Sequence, residues 1–190
     1  MATTSTTNNP DNVTYGKPKV GGSIFIAPVG ATLPTDATTA LDAAFQNAGY
    51  CSDDGLENEY KIDTDTVKAW GGDVVLTVDK GREDKFSFTM IESMKPEALK
   101  MVFGDSNVTG ALASGIKVDV SASDLVPHSY VFELIAKGSI LHRIVVPSAT
   151  LSDLDKITYK DDDAVGFNVT LTASADSNGK THYEYYSKGA

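Results

Sequence analysis

Apolar and polar residues alternate along most of this chain with the two-residue period of half-buried strands, and only rarely with a helical period. Val74, Leu76 and Val78 point one way while Asp73, Thr77 and Asp79 point the other. Through Asp79-Lys80-Gly81-Arg82 they lead to Phe86, Phe88 and Met90, and the pattern predicts a hairpin that turns both apolar triplets to one core. Upstream, Gly21-Gly22 precede a strand at Ser23–Ala27, closed by Pro28 because proline has no N–H to give to a ladder. Downstream, Ile116, Val118 and Val120 alternate with Lys117 and Asp119, and Ser129–Ala136 and Ile140–Val146 flank a turn at Lys137-Gly138-Ser139. Val165, Phe167, Val169 and Leu171 then alternate with Asn168, Thr170 and Thr172, before Asn178-Gly179 predicts a hairpin turn into His182–Tyr186.

Two segments carry helical signals. Thr39–Phe45 reads as a short capped helix ending at Gly49, with Leu41, Ala44, Phe45 and Ala48 on its apolar face. Ser93 is placed to cap Lys95–Phe103, with Pro96 and Glu97 in the first turn and Gly104 as terminator, burying Leu99, Val102 and Phe103. Between these, Tyr50–Trp70 is acidic, has turn chemistry at Asp54-Gly55 and alternates poorly, which predicts a long exposed hairpin or loop. Antiparallel hairpins without regular βαβ alternation imply a mainly β (α+β) fold: an antiparallel sandwich or barrel with one flanking helix. The Thr/Asn/Ser-rich start makes residues 1–20 an N-terminal arm, leaving 21–190 as a single domain with a further extended terminus.

Composition narrows the function. A chain of 190 residues with 41% hydrophobic and 22% charged residues can form a packed core, so wholesale disorder is excluded. Sixteen Lys+Arg against 26 Asp+Glu leave a net charge of −10, the reverse of the basic footprint that phosphate binding needs. Met1–Asn12 lacks a basic start and an apolar run, so no secretory signal is expected there, and no run approaches the 18 apolar residues of a helical membrane span. One cysteine, Cys51, closes no internal disulfide and leaves the redox compartment open.

Candidate chemistry is sparse. His128, His142 and His182 lie far apart without a helical i, i+4 partner, and hydrogen-bonded strand histidines are the expected reading. Asp161-Asp162-Asp163 lacks the spacing, glycine and final glutamate of a calcium loop, and Asp176-Ser177-Asn178-Gly179 reads as a turn. Gly110-Ala111-Leu112-Ala113-Ser114-Gly115 has neither phosphate-loop nor nucleophile-elbow spacing. Carboxylates at Asp53 and Asp54 disfavour a Cys51 thiolate. The sequons at Asn12, Asn107 and Asn168 are compositional in a Thr-rich chain. No catalytic residue, cofactor site or metal site is expected. Trp70, the only tryptophan, is either a core residue or an interface anchor.

Three stretches taken together resemble a known family: Ile26-Ala27-Pro28-Val29-Gly30 to Leu33-Pro34 with Leu41-Asp42-Ala43-Ala44-Phe45; Asp54-Gly55-Leu56 leading to Lys68-Ala69-Trp70-Gly71-Gly72; and Phe88-Thr89-Met90-Ile91-Glu92 with the helix to Gly104. The set is similar to the major tail tube proteins of long-tailed bacteriophages, particularly those infecting actinobacteria. It covers about Gly21–Gly104; beyond Gly115 the likeness is one of pattern only.

The resemblance implies a structural virion protein that polymerises with itself as stacked hexameric rings, next to tape-measure, tail-tip and tail-terminator proteins, with genomic DNA passing through unbound. Four strands from each of six subunits make about 24 strands, which at roughly 4.8 Å give a circumference near 115 Å and a diameter near 37 Å. An acidic wall would repel phosphates over about 10 Å at 0.1 M salt. Thr77, Asp79, Ser87, Thr89, Asn168, Thr170 and Thr172 are the lumen candidates, on strand faces of small hydroxyls with few cations. Lys68, Lys80, Arg82 and Lys85 are expected to meet acidic positions such as Asp53, Asp54 and Glu57 between rings, with Trp70 as a further interface candidate. Met1–Val20 and Glu57–Trp70 are the segments expected to order on a neighbour. The rival is a β-sandwich decoration or carbohydrate-binding module on the virion surface.

Overall fold

The computed structural model describes residues 7–121 and 125–189; the first six residues of the expected N-terminal arm lie outside them. In chain order the strands are β1 (Lys17–Pro18), β2 (Ile24–Pro28), β3 (Gln46–Asn47), β4 (Cys51–Lys68), β5 (Val74–Met90), β6 (Val108–Ala111), β7 (Gly115–Val118), β8 (His128–Ala136), β9 (Ile140–Leu154), β10 (Phe167–Ala173) and β11 (Tyr183–Lys188). The α-helix α1 (Pro96–Phe103) follows β5. A nine-stranded antiparallel sheet runs β3-β2-β8-β9-β10-β5-β4, with β1 also paired to β8 and β11 to β9; β6 and β7 form a separate small hairpin.

The long strand β9 makes this sheet a sandwich. Residues 140–149 pair with β8, whereas residues 149–154 pair on the opposite edge with β10, so the sheet passes from one layer to the other along one strand. The layers then meet face to face: Phe86 of β5 stacks on Phe132 of β8 with ring centroids 5.4 Å apart, and Phe88 meets the same ring edge-on at 5.7 Å. Every second residue enters the core, including Ile24 and Ile26, Phe86, Phe88 and Met90, Tyr130 and Phe132, Ile144 and Val146, and Phe167, Val169 and Leu171. Full burial of such a side chain contributes about 1.5–3 kcal/mol. Helix α1 closes one side with Ala98, Leu99, Met101 and Val102 buried, and Phe103 meets Phe167 edge-on at 5.9 Å.

The outer face of β2-β8-β9 is covered by the segment that follows β2. Phe45 packs with Ala27, Val131 and Val145, joined by Leu33, Leu41, Tyr183 and Tyr185. Beneath it Arg143 is buried. Its Nε donates to Glu133 at 2.8 Å, and Nη1 donates to the carbonyls of Asp36 and Thr39 at 2.8 and 2.9 Å, so one guanidinium pins the covering segment to the sheet. Lys19 also pairs with Glu133.

Several elements differ from the sequence reading. Residues 39–45 form turns instead of a helix, because the Asp36 carboxylate takes the N–H groups of Thr38 and Thr39 at 2.6 Å and Asp42 takes that of Ala44 at 2.9 Å. Those local bonds compete with a helical ladder, and the Thr39 hydroxyl together with the Thr39 and Thr38 N–H groups holds the Asp36 carboxyl well below its usual range. Helix α1 starts after Lys95 without a side-chain cap, so Ser93 has no capping role; Pro96 at the first turn needs no donor partner.

The expected turn at Asp79–Arg82 is absent, and β5 runs straight through it. Lys80 is an extra residue between the pairs Asp79↔Thr64 and Gly81↔Asp63, a bulge that Gly81 accommodates at φ +140°. Val74, Leu76 and Val78 accordingly do not join Phe86 in the core; they are 56%, 54% and 40% exposed. The acidic Tyr50–Trp70 segment supplies the partner strand, β4.

Asn178-Gly179 does not join two paired strands either. Both edges of β10 are occupied, by β5 and β9, so β11 continues beyond it along the same edge of β9 after an excursion over residues 174–182. That excursion is organised by Asp176, whose carboxylate accepts from Lys180 N, Asn178 N and the Tyr183 hydroxyl at 3.0, 2.8 and 2.7 Å. These donors, Lys180 first, lower its pKa. A carboxyl with a folded value below the unfolded value of about 3.9 stabilises the fold above that pH and loses its contribution as pH falls through the folded value. Thermal melts between pH 5 and 3 are therefore expected to fall less steeply for Asp176→Asn than for the parent chain; parallel curves would remove Asp176 from the acid response.

Candidate assembly surfaces

One layer of the sandwich, β4-β5-β10-β9, turns its second face away from the core, and strand register decides what that face carries. Asn168 lies opposite Thr89, Thr170 opposite Ser87 and Thr172 opposite Lys85. Ser87 Oγ and Thr170 Oγ1 are 2.9 Å apart, Thr172 Oγ1 donates to Ser152 Oγ at 2.8 Å, and Ser152 Oγ donates to the Thr170 carbonyl at 3.1 Å. Five lumen candidates, Ser87, Thr89, Asn168, Thr170 and Thr172, thus share one hydroxyl-rich face. Glu57 and Glu59 flank it from β4 and Asp153 from β9, while its Lys85 ammonium is engaged by Glu83 at 3.0 Å.

Thr77 and Asp79 stand apart from that group. They pair with Thr66 and Thr64, even-numbered positions of β4, whereas Ser87 pairs with Glu57. Since β4 alternates through this region, the bulge at Lys80 puts them on the opposite face of the ribbon.

Beyond the core, β4 and β5 form a two-stranded hairpin. It extends over about ten residue pairs, or roughly 33 Å. Asp84 anchors its base: fully buried, it accepts from Asn58 Nδ2 at 2.7 Å and from His182 Nδ1 at 2.6 Å, tying the hairpin to the approach to β11. His142 meets Glu184 at 2.9 Å and stacks on Tyr186 at 4.1 Å. Burial pushes the Glu184 carboxyl up, but the Tyr186 hydroxyl and His142 outweigh it and leave the carboxyl low. Burial and Glu184 together hold the Tyr186 hydroxyl at about 12. His128 in turn meets Asp105 at 3.0 Å, so all three histidines face carboxylates. No group of three metal-ligating side chains occurs among the described residues.

The interface candidates divide along the hairpin. Lys80 pairs with Asp65 at 2.9 Å and Arg82 with Asp79 at 2.8 Å, exposed pairs that solvent and salt screen. Asp53, Asp54 and Glu57 lie near the beginning of β4, while Lys68 and Trp70 lie at its far end, with the Trp70 side chain fully exposed. The sequence reading missed the apolar residues between them: Tyr60, Ile62, Val67 and Val75 are about half exposed, as are Val74 and Leu76. Their alternation is visible in the sequence, but it is indistinguishable from that of a core strand until the bulge is known. Ser152 and Asp153 were missed because β9 runs through Pro147 to Leu154.

At the start of β4 a cleft of about 800 Å³ opens between residues 16–24, residues 49–56 and β8. Ile24, Leu56, Phe132 and Leu134 line it together with Cys51 and Asp53. Burial raises the Cys51 thiol, with Asp54 adding to the effect against backbone donors. No helix is long and apolar enough to cross a membrane among the described residues.

A half-polar sheet layer with open edges and a projecting apolar hairpin describe a building block. The family model for phage tail tube proteins matches residues 6–190. The chain belongs to that family. No curated protein matches it. As a tail tube protein it has a structural role in the virion tail, where it assembles with itself and other tail proteins into a tube. The family gives no support to the decoration or carbohydrate-binding alternatives.

Proposed function

We propose that six copies join their β4-β5-β10-β9 layers edge to edge into one continuous barrel, with the hydroxyl-rich face as its bore and rings stacked through the hairpins and terminal arms. What carries this reading is that the layer is open at both sides. No strand pairs with the outer edge of β4, or with residues 150–154 of β9 on the side away from β10, among the described residues. Open edges of this length template pairing with another chain, and closure into a barrel removes them. The layer also has four strands in strict up-and-down order, so β9 of one copy meets β4 of the next antiparallel, and the alternation repeats for any number of copies.

The bore is then lined by neutral hydroxyls and the Asn168 amide among Glu57, Glu59 and Asp153, in a subunit of charge −10. Such a wall lets genomic DNA and the tape-measure protein slide without binding, and the ends of the tube are met by the tail-tip and tail-terminator proteins. Negative-stain electron microscopy of the purified protein across concentration and salt tests the proposal. Hollow rings or tubes with six-fold end views are expected. Particles that stay monomeric even when tail-tip complexes are added would sink it.

A further inference from the structure

Resting on self-assembly, we propose that the hairpin tip of one copy seats in the cleft at the start of β4 of a second copy, with Trp70 as the anchor. The tip is built to present this side chain. Gly71 and Gly72 hold φ at +116° and +100°, values that favour glycine, and Gly72 N donates to the Ala69 carbonyl at 3.0 Å, closing a turn that leaves the indole fully exposed. Val67 and Leu76 on one face of the ribbon and Val74 on the other are 49%, 54% and 56% exposed, so the end of the hairpin is apolar around the indole. Tryptophan in a desolvated pocket is a common source of binding energy at interfaces.

The cleft supplies the complementary shape and sign. Ile24, Leu56, Phe132 and Leu134 line it together with Asp53, while Lys19 and Glu92, which also line it, are engaged by Glu133 and Lys95. Lys68, next to the tip, has no ion pair among the described residues, in contrast to Lys80, Arg82 and Lys85 on the same hairpin. A free ammonium beside the apolar anchor therefore matches a free carboxylate beside the apolar cleft.

Geometry makes the contact intermolecular. Tip and cleft lie at opposite ends of the β4-β5 ladder, about 45 Å apart at strand rise, so a tip is out of reach of its own cleft. Two different, complementary patches on one chain form a head-to-tail contact, which propagates instead of closing a dimer. Sideways edge pairing and this lengthwise contact are separate, so rings and their stacking have different determinants.

Cys51 places a native thiol in the cleft wall. In the full-length chain carrying Ala69→Cys, a short bis-maleimide is expected to link assembled tubes into a ladder of multimers, and the Cys51→Ser/Ala69→Cys control to give none. Trp70→Ala is expected to raise the concentration needed for polymerisation by about tenfold or more. Lys68→Glu is expected to weaken stacking and Asp53→Lys to restore it. Tubes that assemble from Ala69→Cys chains but yield no Cys51-dependent ladder would overturn the inference and leave the tube reading intact. Failure of the parent chain to form any tube would instead count against that reading.

Discussion

Urea denaturation of a Glu133→Leu chain is expected to show a loss of about 3–5 kcal/mol, the cost of leaving a buried charge without its partner. The Arg143 guanidinium is almost wholly enclosed and has Glu133 as its one carboxylate partner, with the Asp36 and Thr39 carbonyls on its other side. Removing the carboxylate leaves that charge held by neutral dipoles alone and releases Lys19 as well. With a urea slope of about 1–3 kcal/mol per molar, the midpoint should fall by at least about 1 M. The double variant Glu133→Leu/Arg143→Met should recover much of the loss, because replacing both members of a buried pair with apolar groups removes the desolvation cost on both sides. Full recovery is not expected, because the Asp36 and Thr39 carbonyls lose the donor that pins the covering segment to the sheet. A single variant within about 1 kcal/mol of the parent would mean that water reaches the guanidinium and that the pair is not what fixes the covering segment.

This cluster also shows what was legible in the sequence. Arg143 falls in an apolar run read correctly as strand, and the turn at Lys137-Gly138-Ser139, the strands on either side of it and the alternation of Phe167, Val169 and Leu171 are all present in the fold. Two-residue alternation is a local property, so it survives without knowledge of neighbours. What failed depended on distant partners. Whether residues 39–45 coil into a helix was decided by Asp36, Asp42 and a guanidinium about a hundred residues away. Whether Asn178-Gly179 makes a hairpin was decided by β5 already occupying the free edge of β10. The bulge at Lys80 had the largest functional consequence. A glycine between two apolar triplets reads equally well as a turn or as an inserted residue, and the second reading converts Val74, Leu76 and Val78 from core into exposed apolar surface. The polar faces of β5 and β10 were visible, but register alone brought Ser87, Thr170 and Ser152 together and separated Thr77 and Asp79 from them.

On the proposed closure, Thr170→Lys is expected to give tubes that retain DNA where the parent tubes do not. Thr170 lies at the middle of the hydroxyl face, opposite Ser87 on one side and Asp153 on the other, within a strand whose core-facing neighbours Val169 and Leu171 are fully buried. The substitution therefore changes the face without touching the packing, and its main structural cost is the hydrogen bond with Ser87. In the proposed six-copy ring, every ring would add six ammonium groups to the bore. A protein that makes 6–10 phosphate contacts loses about 10³–10⁵ in affinity between 50 and 200 mM salt, so co-sedimentation of linear duplex DNA with Thr170→Lys tubes should be strong at the lower salt and nearly absent at the higher. Parent tubes should retain none at either, since the proposed wall presents hydroxyls and carboxylates and its Lys85 ammonium is engaged by Glu83. Nuclease digestion then locates the bound DNA, because the proposed barrel, with a backbone diameter of roughly 37 Å, leaves room for a duplex and none for a globular nuclease around it. Protected DNA would place Thr170 in the lumen; DNA that is bound but fully digested would put this face on the outer wall, and the β4-to-β9 closure would have to be replaced by one that turns the layer the other way.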